Sequence, residues 1–403
     1  MKKIRLLSSI YIVLLTVSII IAGCKQEVIN KPIVSNTNPP GMVSNVTVVN
    51  LNGKATITYS LPGDKDLLYV KAVYTISGGH TEEVKASRYT NNLTVIGFGD
   101  TLAHVVKLYA VNSSEVASAP VTVVVNPLTP AINIARRSLN VVATFGGFSL
   151  TCNNPTKENL AIIPLVDTTG NGKWVQTLGM DNIYSNAPVI SDVRRGQPAI
   201  SRKYAFVVRD RWLNYSDTLF VTLKPLFEQL LPKSAWSNYV LPGDATLLYS
   251  YTNVAQIFDG NFHPGWPNVV FTVENAGSPQ MITIDLGQAH VFSRFQINPF
   301  LEVGSVYYVR GNQKDFEIWG SNNPNLNGAL DASWTQLGTY HVIKPSGSPS
   351  GTETAADQAY AYNGWQFDFP ISSTAYRYIR IRSLQNWQGS YFMSMGEFTL
   401  WGN

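Results

Sequence analysis

Seven of the nine tryptophans fall between residues 236 and 403: Trp236, Trp266, Trp319, Trp334, Trp365, Trp387 and Trp401. Trp319, in Phe316-Glu317-Ile318-Trp319, and Trp401, in Phe398-Thr399-Leu400-Trp401, sit in strand patterns that assign them to a core. Trp266, in His263-Pro264-Gly265-Trp266-Pro267, and Trp387, in Asn386-Trp387-Gln388-Gly389, fall among loop formers. A loop indole on a β scaffold either closes the end of a sandwich or offers a flat face on which pyranose C–H groups stack. Both readings stay open for each ring. Catalytic constellations are missing from the sequence. It holds no Gly-x-Ser-x-Gly, His-Glu-x-x-His or phosphate loop, and His80, His104, His263, His290 and His341 show no ligand spacing. A glycosidase needs two carboxylates about 5–9.5 Å apart, and Asp and Glu are scattered. The chain reads as a non-enzyme. Asp167-Thr168-Thr169-Gly170-Asn171-Gly172 lacks the alternating acidic ligands of a calcium loop and reads as a turn.

The elements that carry these loops are strands. At 403 residues the chain has room for two to four domains. Charged residues make up 14%, against about 25% for an average soluble domain, while apolar residues reach 45% and aromatic ones 11%. That balance excludes disorder, coiled coil and long solvated helices. From 41 to 126, alternating runs such as Ala55-Thr56-Ile57-Thr58-Tyr59 and Leu67 to Tyr74 recur between turn signals, giving roughly seven strands of a small sandwich. Asn126-Pro127-Leu128-Thr129-Pro130 interrupts any ladder and marks a boundary. A second sandwich is expected over 127–225, closing with Tyr204 to Asp210 and Thr218 to Leu223. Pro225-Leu226-Phe227-Glu228-Gln229-Leu230-Leu231 is the best helix-like stretch, a link into a last domain at 226–403. The fold class is all-β, three β-sandwiches in tandem.

The N-terminus reads as an export signal. Met1-Lys2-Lys3-Ile4-Arg5 is basic, and the apolar run after it ends Ile19-Ile20-Ile21-Ala22-Gly23-Cys24. A membrane-anchoring helix is the other reading. Ile21-Ala22-Gly23-Cys24 resembles the lipobox of bacterial lipoproteins, which implies a signal peptide at 1–23, lipidation of Cys24 and a tether at 24–40. Lys25-Gln26-Glu27 resembles the short signal that sends some lipoproteins to the cell surface, implying an outer-membrane lipoprotein held to the membrane only by its lipid. Removing Lys2, Lys3 and Arg5 with the signal brings the formal charge from +4 to about +1, and no Lys/Arg run remains, which excludes a nucleic-acid partner. With Cys24 acylated, Cys152 has no disulfide partner and reads as a buried strand thiol.

Further resemblances are specific to each domain. Leu108 to Asn112 followed by Val121 to Val125 resembles the last two strands of a fibronectin type III domain. The first sandwich is thus fibronectin-like and the second Ig/fibronectin-like, an arrangement similar to that of modules preceding glycan-binding domains in surface lipoproteins. Ile257-Phe258-Asp259-Gly260-Asn261 and Ile282-Thr283-Ile284-Asp285-Leu286-Gly287 resemble the opening of a discoidin (coagulation-factor C-type) domain. Lys314 to Ser321, Trp334, Tyr376 to Ile381, and Gly396-Glu397-Phe398 match its later motifs. The resemblance covers about 165 residues and implies a galactose-binding-like jelly roll, similar to family 32 carbohydrate-binding modules.

That resemblance implies a structural calcium on Asp259, Asn261 and Glu397, hard oxygen donors of the kind Ca²⁺ requires. Pro264 stands where a Thr/Ser ligand is usual, and a bare Asp-Gly turn without metal is the other reading. It further implies a ligand site on the loops His263–Asn268, Glu302–Asn312 and Asn386–Phe392. His263, Trp266, Tyr307, Tyr308, Arg310, Asn386, Trp387 and Tyr391 are the candidates for stacking on a sugar or reading its hydroxyls. Pro299-Phe300 replaces the family's frequent Pro-Arg, which removes a common hydroxyl-reading arginine. The expected partner is a glycan or polysaccharide, within a glycan capture and uptake system. The alternative is a protein-binding or adhesive accessory lipoprotein docked to an outer-membrane uptake complex.

Overall fold

The structure, a computed structural model, describes residues 36–403. The expected signal peptide at 1–23, the expected lipidation site Cys24 and most of the expected tether at 24–40 lie outside the described residues. The chain is all-β, as its alternation predicts, and divides into two compact units. One runs to Ile134 and includes Asp210–Tyr215; the other comprises Ala135–Arg209 and Ser216–Asn403.

In the first unit, Ser44–Leu51, Lys54–Ser60 and Asn92–Ile96 form one sheet, while Thr81–Ser87, Leu67–Thr75, His104–Asn112 and Val121–Val125 form the facing one. Leu67, Val70, Ala72 and Tyr74 point inward from one strand and meet Ile57 and Val95 from the opposite sheet. The last residues of the expected tether are tied down. Asn36 donates to Asp66 at 2.7 Å, and the Asn112 side chain donates to the carbonyls of Asn36 and Asn38. Asp210–Tyr215, expected in the second sandwich, belongs to this unit: Asn214 donates to the Gly97 carbonyl at 3.0 Å and Trp212 packs on the same core.

A short helix, Ala131–Arg137, begins directly after Pro130 and runs across the boundary between the units; strand alternation did not announce it. A sandwich follows. Trp174–Val175, Leu160–Asp167, Arg202–Arg209 and Leu219–Leu223 face Val189–Arg194, Gly147–Asn153 and Asn140–Thr144. Cys152 is buried in Gly147–Asn153, where desolvation raises its thiol to about 11. The Asp167 carboxylate accepts backbone N–H bonds from Thr169, Gly170 and Gly172, the bonding of a turn.

Residues 226–403 form a jelly-roll-like sandwich. One sheet orders Gln229–Leu230, Glu397–Gly402, Phe292–Asn298 and Trp365–Asp368; the other orders Ser237–Asn238, Met281–His290, Tyr376–Asn386, Gln313–Ser321 and Thr335–His341. Between them Phe295 contacts Phe316, Tyr340, Phe367 and Phe398 at ring separations of 4.8–6.0 Å. Pro225–Leu231 is not a helix. Gln229 and Leu230 pair with Gly402 and Trp401, because a single turn cannot offset its nucleation cost while an open sheet edge supplies ready partners. Trp236, Trp334 and Trp365 are the core indoles, whereas Trp319 and Trp401 lie half-buried on outer faces.

Two ionic assemblies brace this domain. Arg380 is fully buried, donating to Thr283 Oγ1 and the Gly328 carbonyl at 2.8 Å, beside Asp244 at 3.2 Å and over the Trp334 ring. Glu228 joins the domain to the preceding sandwich. It accepts from Ser293 Oγ at 2.7 Å and Arg294 Nε at 3.2 Å, with Arg195 Nε at 3.8 Å, while Arg195 also reaches Asp368.

Candidate functional site

An exposed ring system of the C-terminal domain is built by residues 249–271. Asn253 caps the 3-10 turn Val254–Ile257, accepting from Ala255 N–H while its own N–H donates to Gln256. The chain then turns at Asp259-Gly260, where Asp259 accepts from Asn261 N–H at 2.8 Å. Val269, Val270 and Phe271 return it to the interior. The intervening residues project, and Trp266 at their tip is 45% exposed. Its indole is held edgewise by Tyr249, Tyr251 and Phe271 at 5.5, 5.9 and 5.6 Å, with Phe300 at 6.3 Å; Tyr249 and Tyr251 stack on one another at 5.1 Å. Rings clamped by rings lose little freedom when they meet a ligand.

Trp266 divides two hollows. One, of about 250 Å³, is walled by Tyr249, Trp266, Phe271 and Phe300, with Glu274, Glu302 and Arg310 as its charged groups. The other, of about 400 Å³, shares Trp266, Phe300 and Glu302 and adds His263, Tyr307 and Tyr362. His263 lies flat on Tyr362 at 3.8 Å.

The loop after Phe300 is held rigidly. The Asn312 side chain accepts from Phe300 N–H and donates to the carbonyls of Phe300 and Tyr307, and Glu353 Oε1 accepts the N–H groups of Tyr307 and Tyr308. Arg310 adopts a left-handed conformation, φ +51°, uncommon for a side-chain-bearing residue. Its guanidinium lies over Phe271, donates through Nη2 to Glu274, and has Nε 3.7 Å from Glu302 Oε2. Glu302 is nearly fully buried. Desolvation raises its carboxyl above the usual range, against the opposing effect of a hydrogen bond from Ser394 Oγ.

The structure therefore brings together His263, Trp266, Tyr307 and Arg310. It does not bring the other four expected site residues to either hollow. Tyr308 is fully buried, its hydroxyl directed at the Asp357 carbonyl and its pKa pushed well up by desolvation. Asn386 is fully buried and spends its amide within its own turn, on Gln388 N–H, Ser390 and the Phe392 carbonyl. Trp387 lies half-buried against Tyr308, donating to the Gln313 carbonyl at 3.1 Å. Tyr391 is half-buried beside them in sequence and lines neither hollow. Sequence reasoning missed Tyr249, Tyr251, Glu274, Phe300 and Tyr362. Tyr249 and Tyr251 lie in a turn closed by Thr252 N–H to the Tyr249 carbonyl, which neither a strand nor a helix period announces.

The calcium ligands implied by sequence fare differently. Glu397 is fully buried, and its Oε1 accepts from Gly260 N–H at 3.0 Å and from the Lys233 ammonium, which also donates to Thr399 Oγ1 at 2.8 Å. A cation already faces that carboxylate. Asp259 and Asn261 are exposed and bonded to the turn itself. Ca²⁺ collects six to eight oxygens, and it would have to share Glu397 with an ammonium at contact distance. These residues do not fit calcium.

Three family models match the chain, each described as a domain of unknown function: DUF4959 over residues 40–127, DUF5126 over 128–234 and DUF5000 over 258–402. No curated protein matches it. Among solved structures, it is similar to a SusE-like protein at 28% identity, over 68% of this chain and 99% of that one, with a TM-score of 0.45. It is also similar to a putative chitobiase fragment from Bacteroides thetaiotaomicron at 18% identity, over 43% of this chain and 92% of that one, TM-score 0.30. The CBM32-1 and CBM32-2 domains of Clostridium perfringens ZmpB, solved in complex with GalNAc, align at 12% identity over 43% of this chain and 36% of that one, TM-score 0.28.

Proposed function

We propose that this chain is a non-catalytic, surface-anchored lipoprotein that captures glycans through the Trp266 site of its C-terminal domain and serves a glycan uptake system. The observation that carries the reading is the exposed Trp266 indole, clamped by Tyr249, Tyr251 and Phe271 and flanked by two hollows that share Glu302, the first lined also by Glu274 and Arg310. Aromatic faces stack on the apolar side of a pyranose, and planar charged groups accept or donate to its hydroxyls. Two hollows astride one ring suit two consecutive sugar units. Stacking and a few hydrogen bonds would give single-site Kd values of ~0.1–1 mM, about −5 kcal/mol.

The test is a glycan array probed with residues 36–403 and with Trp266→Ala. Binding to one or more glycan classes that is lost in the variant supports the proposal. A silent array with a folded protein overturns it and favours a protein partner, to be sought by pull-down with outer-membrane uptake proteins. Retained binding in Trp266→Ala moves the site elsewhere.

A further inference from the structure

Resting on that sugar-binding reading, we infer that the hollow between Trp266 and Tyr249 takes an uncharged pyranose and rejects uronic and other acidic sugars. An acidic sugar needs a cation whose charge is not already balanced. Among the described residues, Arg310 is the one guanidinium or ammonium lining this hollow, and its charge is already faced by two carboxylates. Its Nη2 donates to Glu274 and its Nε edge faces Glu302 Oε2 at 3.7 Å. The group lies over the Phe271 ring, 5.4 Å from its centre.

Two carboxylates against one guanidinium leave the hollow without surplus positive charge. A sugar carboxylate entering it meets a guanidinium already balanced by Glu274 and lies beside Glu302, whose burial leaves little water to screen the repulsion. Uncharged hydroxyls meet no such barrier. They donate to the lone pairs that the half-exposed Glu274 keeps free, while the ring stacks on Trp266 or Tyr249. Arg310 in this arrangement neutralises and positions the carboxylates rather than recruiting an anion. The volume, about 250 Å³, lies just under the ~300–1,000 Å³ of ordinary ligand pockets and suits one ring.

The experiment compares matched pairs by calorimetry on residues 36–403 at fixed ionic strength: galactose with galacturonate, glucose with glucuronate, and mannose with mannuronate, as free sugars and short oligomers. In whichever series binds, the uronate is expected to be at least tenfold weaker than its neutral partner. In Glu274→Gln, which takes a charge from the hollow and loosens Arg310, that ratio is expected to narrow at least threefold. A uronate binding as well as its neutral partner overturns the inference while leaving the sugar-binding reading intact. An unchanged ratio in the variant overturns the role given to the Arg310–Glu274 pair. Silence across both series, with binding also absent from the array, removes the sugar-binding reading and this inference with it.

Discussion

Replacing Lys233 by Met tests whether an ammonium, rather than a metal, holds the base of the Trp266 loop. The substitution keeps the length of the side chain and removes its charge. It leaves Glu397 at 0% exposure, one oxygen bonded to Gly260 N–H alone and the other, Oε2, without a protein partner. Breaking a buried ion pair by removing one member costs about 3–5 kcal/mol, because the remaining charge is stranded. At about 2–4 °C per kcal/mol for a domain of this size, the melting transition should fall by roughly 6–20 °C. Tryptophan fluorescence is the suitable signal, since seven of the nine indoles lie in 236–403. Adding Glu397→Gln to Lys233→Met should recover most of the loss by removing the stranded charge. Wild-type protein should melt at the same temperature in millimolar calcium and in chelator. A fall under about 2 °C in Lys233→Met, or a wild-type transition that climbs with calcium, refutes the reasoning.

Other perturbations separate the ligand site from its support. Trp266→Ala should abolish glycan binding and leave the melting temperature within a few degrees, because nearly half of the indole is already in water. Trp387→Ala should do the reverse, costing about 1–3 kcal/mol in urea unfolding with glycan affinity unchanged. Arg380→Met strands Asp244 in the interior and should cost about 3–5 kcal/mol, again by urea unfolding. The bidentate bond from Arg377 holds the Asp285 carboxyl below its usual range. A depressed folded-state pKa stabilises fully above the unfolded value, ~3.9, and its contribution disappears as pH falls through the folded one. Asp285→Asn should therefore show a shallower loss of stability below about pH 4 than wild type, measured by chemical unfolding across that window.

The sandwiches were legible wherever strands are half-buried, because alternation then writes the core directly. Leu67–Thr75 is the clearest case. Docking of chain ends and loop tips was not legible. Asn36, the Asp210–Tyr215 tip and the pairing of Leu230 with Trp401 are fixed by partners distant in sequence. In the site, His263-Pro264-Gly265-Trp266 announced itself as a projecting aromatic loop. Asn386 and Tyr308 misled for a common reason: both lie in loop sequence, yet each is drawn inward, Asn386 by the unpaired backbone groups of its own turn and Tyr308 by a loop whose N–H groups are tied to Glu353. Composition cannot say which way a loop residue faces. Tyr249 and Tyr251 meet because they sit in a turn, which no hydrophobic period encodes.

The Glu228 assembly has a mechanical consequence. Arg195 from the second sandwich and Ser293 and Arg294 from the C-terminal domain converge on one carboxylate, and the chain between the two sandwiches is itself hydrogen-bonded, Gly146 N–H to the Leu226 carbonyl and Leu226 N–H to the Thr144 carbonyl. A linker stitched in this way transmits torque instead of absorbing it. The direction in which the Trp266 loop faces is thereby coupled to the second sandwich, and a force applied to one is carried to the other without slack at the joint.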